Sequence, residues 1–143
     1  MNDQNQTKVG VGLFIVKGNS ILLGRRKNAH GPGEYAGAGG HLEHLELFED
    51  AALRELREEM GEDIQVRDLK LLSLTNLRKY RPKHYIDIGI IAEWVSGEPK
   101  VMEPDKIESW QWFDMDELPS PLFGIIPNYV EAFRTGKVYF PES

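Results

Sequence analysis

The stretch GGHLEHLELFEDAALRELREEMGED, residues 39–63, concentrates the side chains best suited to chemistry. Its second half reads as a helix, and Glu55, Glu58, Glu59, Glu62 and Asp63 crowd the last turns, offset in part by Arg54 and Arg57. A helix C-terminus carries partial negative charge, so each anion there costs roughly 0.3–1 kcal/mol. At about 100° per residue, Phe48, Ala52, Leu53, Leu56 and Met60 share one broad apolar arc. Glu55 and Glu59 fall inside that arc, and Glu58 falls at its edge beside Ala51. Glu49 shares the arc too, but in the first turn, where an acid suits the helix dipole. An acidic run is commonly a solvated face; here the phase turns two carboxylates, one turn apart, toward the domain. Like charges that close raise each other's pKa unless a cation stands between them. A divalent cation would supply that charge, and an all-oxygen donor set suits magnesium, with manganese as the alternative, better than zinc. The acids sit on a helix, so they do not form a calcium-binding loop of the EF-hand kind. Gly61 is expected to stop the helix in the left-handed conformation.

Several elements must hold this segment. KVGVGLFIV, KGNS and ILLGRR read as strand, turn and strand, and KNAHGPGEYAGAGG as a Gly-rich connection. Residues 47–60 form the predicted helix. IQVRDLKLLSLTNL and HYIDIGIIAEWV read as strands joined by the basic loop RKYRPK. SGEPKVMEPDK is a second loop, IESWQWFDM a strand, DELPSPLFG a turn region, and IPNYVEAFRTG a second helix with Gly136 near its end. Strands with few helices suggest a mixed sheet flanked by helices, an α+β arrangement.

Composition narrows the function. The 143 residues suit one domain, with residues 1–7 expected to be flexible. Hydrophobic content of 41% and charged content of 28% are those of a globular chain. A net charge of −6 argues against duplex nucleic-acid binding, while leaving room for a small anionic ligand met by local cations or a metal. With no cysteine, disulfides, zinc–thiolate sites and cysteine nucleophiles are excluded. The polar start MNDQNQTK does not read as a signal peptide and no apolar run is long enough to span a membrane, so a cytoplasmic location is expected.

The acidic segment resembles the box of the Nudix hydrolases, G-x5-E-x7-R-E-U-x-E-E-x-G-U, where U is a bulky aliphatic residue. Gly40, Glu46, Arg54, Glu55, Leu56, Glu58, Glu59 and Gly61 occupy its fixed positions in order. Glu62 departs from the aliphatic residue expected last, and Ile64 is placed to supply that packing. Ala38 stands where the family often has Pro. HYIDIGIIAEW and EPDKIESWQWFDMDELP also look like later strands of small MutT-like members, so the resemblance covers most of residues 8–123.

The resemblance implies an α-β-α sandwich with a central mixed sheet, and hydrolysis of a nucleoside diphosphate linked to another group. It assigns Glu55 and Glu59 as principal metal ligands, Glu58 as a third ligand or water-orienting base, and the backbone carbonyl around Gly40 as a further ligand. Arg54 and Glu46 look like the pair that orients the catalytic helix. Glu103 matches an acid that some members bring from a later loop; an exposed loop acid is the equal alternative. Nucleoside triphosphates are the favoured substrates, then nucleotide sugars including ADP-ribose, with a non-catalytic nucleotide-binding module a distant third. The position where ADP-ribose-specific members often carry Pro is Arg78, with Pro82 following, and Tyr80 lies near a Tyr of dinucleoside polyphosphate hydrolases. Members are often homodimers.

The remaining candidates have competing readings. Arg25 and Arg26 point to opposite faces of a strand, so at most one meets a substrate phosphate. Arg78, Lys79, Arg81 and Lys83 read first as a solubilising loop, and second as a rim attracting phosphates. Trp110 and Trp112 read as core packing ahead of base stacking. His30, His41, His44 and His84 show no metal-ligand spacing, and His41 and His44 read as loop residues.

Overall fold

The computed structural model describes residues 6–27 and 31–142. The expected flexibility of residues 1–7 falls outside this range for residues 1–5, as does His30, whereas Thr7 already belongs to a strand, paired with His84. The long strands form over β-branched, leucine-rich or aromatic runs: β1 (Thr7–Lys17), β2 (Ser20–Arg26), β5 (Gln65–Leu77), β6 (His84–Ser96) and β7 (Ile107–Asp114). The Gly-rich connection between β2 and the helix contains two short strands, β3 (Tyr35–Ala36) and β4 (Ala38–His41). A short final strand, β8 (Tyr139–Phe140), pairs with β5. Sequence reading missed these three because pairing with distant strands creates them.

The sheet runs β3-β2-β1-β6-β5-β8, with β4 on β1 and β7 on β2. It is mixed: β1 and β6 are parallel from Thr7↔His84 to Val16↔Glu93, as are β5 and β8, while β5–β6 and β2–β7 are antiparallel. Helix α1 (Phe48–Met60) covers one face and α2 (Ile126–Thr135) belongs to the other. Alternation along β1 assigns the layers. Val11, Leu13 and Ile15 pack with Ala51, Ala52, Leu56 and Met60 of α1, while Phe14 and Val16 pack with Ile126, Tyr129 and Val130 of α2. This is the expected α+β sandwich.

Two details of α1 differ from expectation. Phe48 is 39% exposed, because the sheet-facing contact begins a turn later at Ala51. Gly61 ends the helix at φ 86°, ψ −174°, an extended positive-φ conformation instead of the left-handed helical one. Its N–H still bonds the Arg57 carbonyl, and glycine remains the residue that adopts this φ at little cost. Ile64 is buried and Glu62 exposed, so the aliphatic contact after the helix is supplied two residues late. No helix among the described residues is long and apolar enough to cross a membrane.

Candidate active site

Strand β4 carries the start of the site. Gly39 and Gly40 pair with Gly12 and Val11 of β1 directly beneath α1. A Cβ on Gly40 would collide with the Glu55 carboxylate, and one on Gly39 would stand 2.8 Å from the Val11 carbonyl oxygen. Only glycines let this backbone approach the acid-bearing face of the helix so closely.

The box acids gather there. Glu59 Oε2 accepts the Gly39 N–H at 2.7 Å, and the Trp110 indole donates to the Glu59 carbonyl at 3.2 Å. Burial first, and then repulsion from Glu55 and Glu103, push the Glu59 carboxyl up to about 8, against the opposing Gly39 N–H and Lys106. Glu55 is 8% exposed. Burial raises its pKa, Arg54 opposes this, and Glu58 and Glu103 add to it. Arg54 braces the acids. It forks onto Glu46 at 2.8 and 3.0 Å, donates to Glu55 at 2.7 Å and to the His41 carbonyl at 2.9 Å, and reaches Glu58 at 3.4 Å. The Arg54 hydrogen bonds hold the Glu46 carboxyl below its usual range. The pairing of Arg54 with Glu46 that the box implies is therefore present as a bidentate contact.

These groups line a cavity of about 570 Å³, a size suited to a small-molecule ligand. Glu55, Glu58, Glu59 and Glu103 line it, as do Gly40 and the cations Arg26, Lys83 and Lys106. Glu103 comes from the loop before β7 and pairs with Lys106 at 3.3 Å. Of the two arginines ending β2, Arg26 is the one at the cavity, its guanidinium 4.6 Å from the centre of the Phe123 ring. Arg25 points away, paired with Glu108 at 3.3 Å.

Among the described residues, no three His, Cys, Asp or Glu side chains already form a ligating cluster. Arg54 holds Glu55 and the Gly39 amide holds Glu59. The donor set nonetheless fits a hard divalent cation. It is all oxygen, and burial first and carboxylate repulsion second raise Glu55 and Glu59, so their charged forms are unfavourable without such an ion.

Sequence reasoning missed part of the cavity. His41 is not in a loop: it ends β4, lines the cavity and contacts the Tyr85 hydroxyl at 3.1 Å. Lys83 is the one member of the basic cluster found there, whereas Arg78 pairs with Glu142. Tyr80 is held by Glu34 and the Gly124 N–H, stacked on Phe123. Trp94 and Trp112 meet edge to face, and Trp110 and Trp112 pack against the α1-side core, as expected. Asp87 and Tyr129 are buried, yet line the same cavity. The signal for Asp87 was a lone charge inside the apolar strand HYIDIGII.

Burial pushes the Asp87 carboxyl up to about 7, against the Tyr129 hydrogen bond. An unfolded Asp ionises near pH ~4. Between those values the folded chain holds the extra proton, so this group's contribution to stability falls as pH rises. Urea unfolding at pH 5 and pH 8 should therefore show a larger loss in the wild type than in Asp87→Asn, by about 2 kcal/mol. Equal losses in the two proteins would contradict the shift.

Comparisons with known proteins agree with the box. The NUDIX domain model matches residues 6–133. The NAD-capped RNA hydrolase NudC of Pseudomonas aeruginosa is 36% identical over 107 residues, 75% of this chain and 36% of that protein. The oxidized purine nucleoside triphosphate hydrolase of Danio rerio is 33% identical over 108 residues, 75% of this chain and 66% of that one. The chain thus spans about a third of the NudC relatives it matches. The crystal structure of a MutT NUDIX hydrolase from Burkholderia pseudomallei superposes with a TM-score of 0.82 at 36% identity, covering 89% of this chain and 98% of that one.

Proposed function

The chain belongs to the NUDIX hydrolase family, and from that premise we propose that it is a pyrophosphohydrolase of nucleoside triphosphates or related nucleoside diphosphate derivatives, releasing nucleoside monophosphate and pyrophosphate. The observation that carries this reading is the meeting of Glu55 and Glu59 with Gly40 at one end of a cavity that Arg26 and Lys106 also enter. Family members generally use a divalent metal, and here magnesium is the proposed ion, with manganese as the alternative. Glu55, Glu59 and the Gly40 carbonyl would hold it, with Glu58 and Glu103 as further oxygen donors. When bound, the ion would neutralise carboxylate and phosphate charge and acidify a water.

The residues supply the rest. Arg26 and Lys106 offer charge to the phosphate oxygens. Glu58, exposed at the helix edge, and Glu103 are the candidates for accepting the proton of the attacking water. Arg54 and Glu46 fix the helix that presents these groups. A cytoplasmic location is part of this proposal and rests on the sequence alone.

The related proteins suggest two substrate types. The triphosphate reading is favoured over a capped RNA because the chain carries a net charge of −6, opposed to a polyanion. ADP-ribose and nucleotide sugars remain the second reading, with Pro82 its only sequence marker. A panel of triphosphates, ADP-ribose, NAD and a capped RNA, digested with magnesium and resolved by chromatography, tests this. A triphosphate should give monophosphate and pyrophosphate, with turnover lost on chelation. Accumulation of diphosphate and orthophosphate would reject the reading, and cleavage of ADP-ribose alone would replace it with the second.

A further inference from the structure

The end of the cavity away from the acids is shaped by missing side chains. A Cβ on Gly10 would stand 3.8 Å from the Gly40 carbonyl oxygen, 3.8 Å from Tyr85 Cδ1 and 4.0 Å from Asp87 Oδ1. These are ordinary contact distances, so the space over Gly10 is a notch walled by a backbone carbonyl, an aromatic ring and a carboxyl. Gly12 and Gly89 are bare because Tyr129 lies over both: a Cβ on either would run into its ring or hydroxyl. That placement brings the Tyr129 hydroxyl to Asp87 Oδ2, to which it donates at 2.5 Å. Phe123 and Ile125 add apolar surface to the same cavity. The Gly40 carbonyl belongs to both ends, so a ligand whose phosphates lie at the acids has its remaining part next to this notch.

Asp87 is 6% exposed, and Tyr129 satisfies only one of its oxygens. A carboxylate has acceptor sites on both oxygens, and buried polar atoms are usually hydrogen-bonded. Oδ1, the oxygen nearest the notch, is positioned to accept a hydrogen bond from a ligand. We propose that this notch is a nucleobase subsite in which Asp87 determines specificity, accepting through Oδ1 the ring N–H of a lactam-type base such as guanine. The proposal rests on the nucleotide reading of the cavity and extends it to the base. Adenine presents a ring lone pair at the corresponding position, which would face the lone pairs of an ionised Asp87, so the comparison is made at pH 8, above the value of about 7 to which burial raises this carboxyl. Sites that hydrogen-bond a buried substrate group discriminate strongly against analogues lacking it.

The test compares GTP, ATP and base-free ribose 5-triphosphate on wild type, Asp87→Asn and Gly10→Ala. Wild type should favour GTP over ATP in kcat/KM by about tenfold or more. In Asp87→Asn the Tyr129 hydroxyl still has an oxygen to bond, which turns the amide NH2 toward the notch. A donor then replaces the acceptor, and the GTP to ATP ratio should fall at least tenfold. Gly10→Ala fits the protein but fills the notch, so KM for GTP should rise several-fold more than KM for ribose 5-triphosphate. Equal kcat/KM for GTP and ATP in wild type would overturn the inference while leaving the hydrolytic reading intact. An unchanged ratio in folded Asp87→Asn would overturn it too, and if that variant does not fold, an unchanged GTP KM in Gly10→Ala does so. Should no nucleotide be cleaved, melting temperature gives the separate readout: a larger rise with GTP than with ATP, abolished in Gly10→Ala, supports the subsite while the hydrolytic reading fails. Equal rises overturn the subsite.

Discussion

Glu59→Gln is expected to lower kcat by about 10²–10³-fold, since losing a ligand to a catalytic ion removes several kcal/mol of transition-state stabilisation, at about 1.4 kcal/mol per tenfold. The substitution is nearly isosteric. The amide oxygen can still accept the Gly39 N–H that Oε2 accepts at 2.7 Å, and the Trp110 contact is to the Glu59 backbone carbonyl. What is lost is the negative charge. That charge is unfavourable without a cation, because burial and the neighbouring Glu55 and Glu103 push the carboxyl up to about 8.

Stability and activity should therefore separate. Without metal, Glu59→Gln should melt no lower than wild type, and above it at alkaline pH. A ligand that binds only the folded state stabilises by about 2.7 kcal/mol at one hundred times its Kd. Magnesium should thus raise the wild-type melting temperature and raise that of the variant less. Near-normal kcat for Glu59→Gln at saturating magnesium would remove Glu59 from the metal site. A wild-type melting temperature indifferent to millimolar magnesium and manganese would remove the site itself.

The pattern that made Glu59 legible in the sequence is local. A single helix fixes the relation of Glu55, Glu58 and Glu59 to Leu56 and Met60, so their side of the helix follows from phase alone. The long strands were legible for a similar reason, since β-branched runs such as IDIGIIA carry their preference within themselves. Elements whose cause lies elsewhere in the chain were hidden. Strand β4 exists because Gly39 and Gly40 pair with β1, and glycines announce no strand. Its recognition would have moved His41 from a loop to the cavity wall. Phe48 looked like core because its phase is right, but phase does not tell where along its axis a helix first meets the sheet. Lys106, from the loop before β7, and Tyr85 and Asp87, from β6, reach the cavity from two separate segments, a convergence that no spacing along the chain encodes. The choice between Arg25 and Arg26 needed the pairing of β2 with β7, which puts Ile107 opposite Arg26.

Arg54 is where the local and the distant parts of the site join, and its replacement should have the other large effect. Its side chain is 18% exposed and meets four carboxylates, Glu43, Glu46, Glu55 and Glu58, and the His41 carbonyl, drawn from the end of β4, the turn before α1 and the helix itself. Removing one partner from such a poorly solvated network leaves the others uncompensated. Arg54→Ala should destabilise the fold by about 2–4 kcal/mol, and should lower kcat by roughly 10–100-fold, as loss of groups that orient metal ligands commonly does. Arg54→Lys separates charge from geometry. A lysine ammonium keeps the positive charge but lacks the planar fork that spans both Glu46 oxygens while reaching Glu55 and the His41 carbonyl. Part of the stability should return with lysine, and little of the turnover. Combining Arg54→Ala with Glu46→Ala should cost much less than the sum of the two, because each alone leaves the other without its partner. A lysine variant within threefold of wild-type kcat would show that Arg54 acts only through its charge, and additive losses in the double variant would show that the fork onto Glu46 does not position the helix.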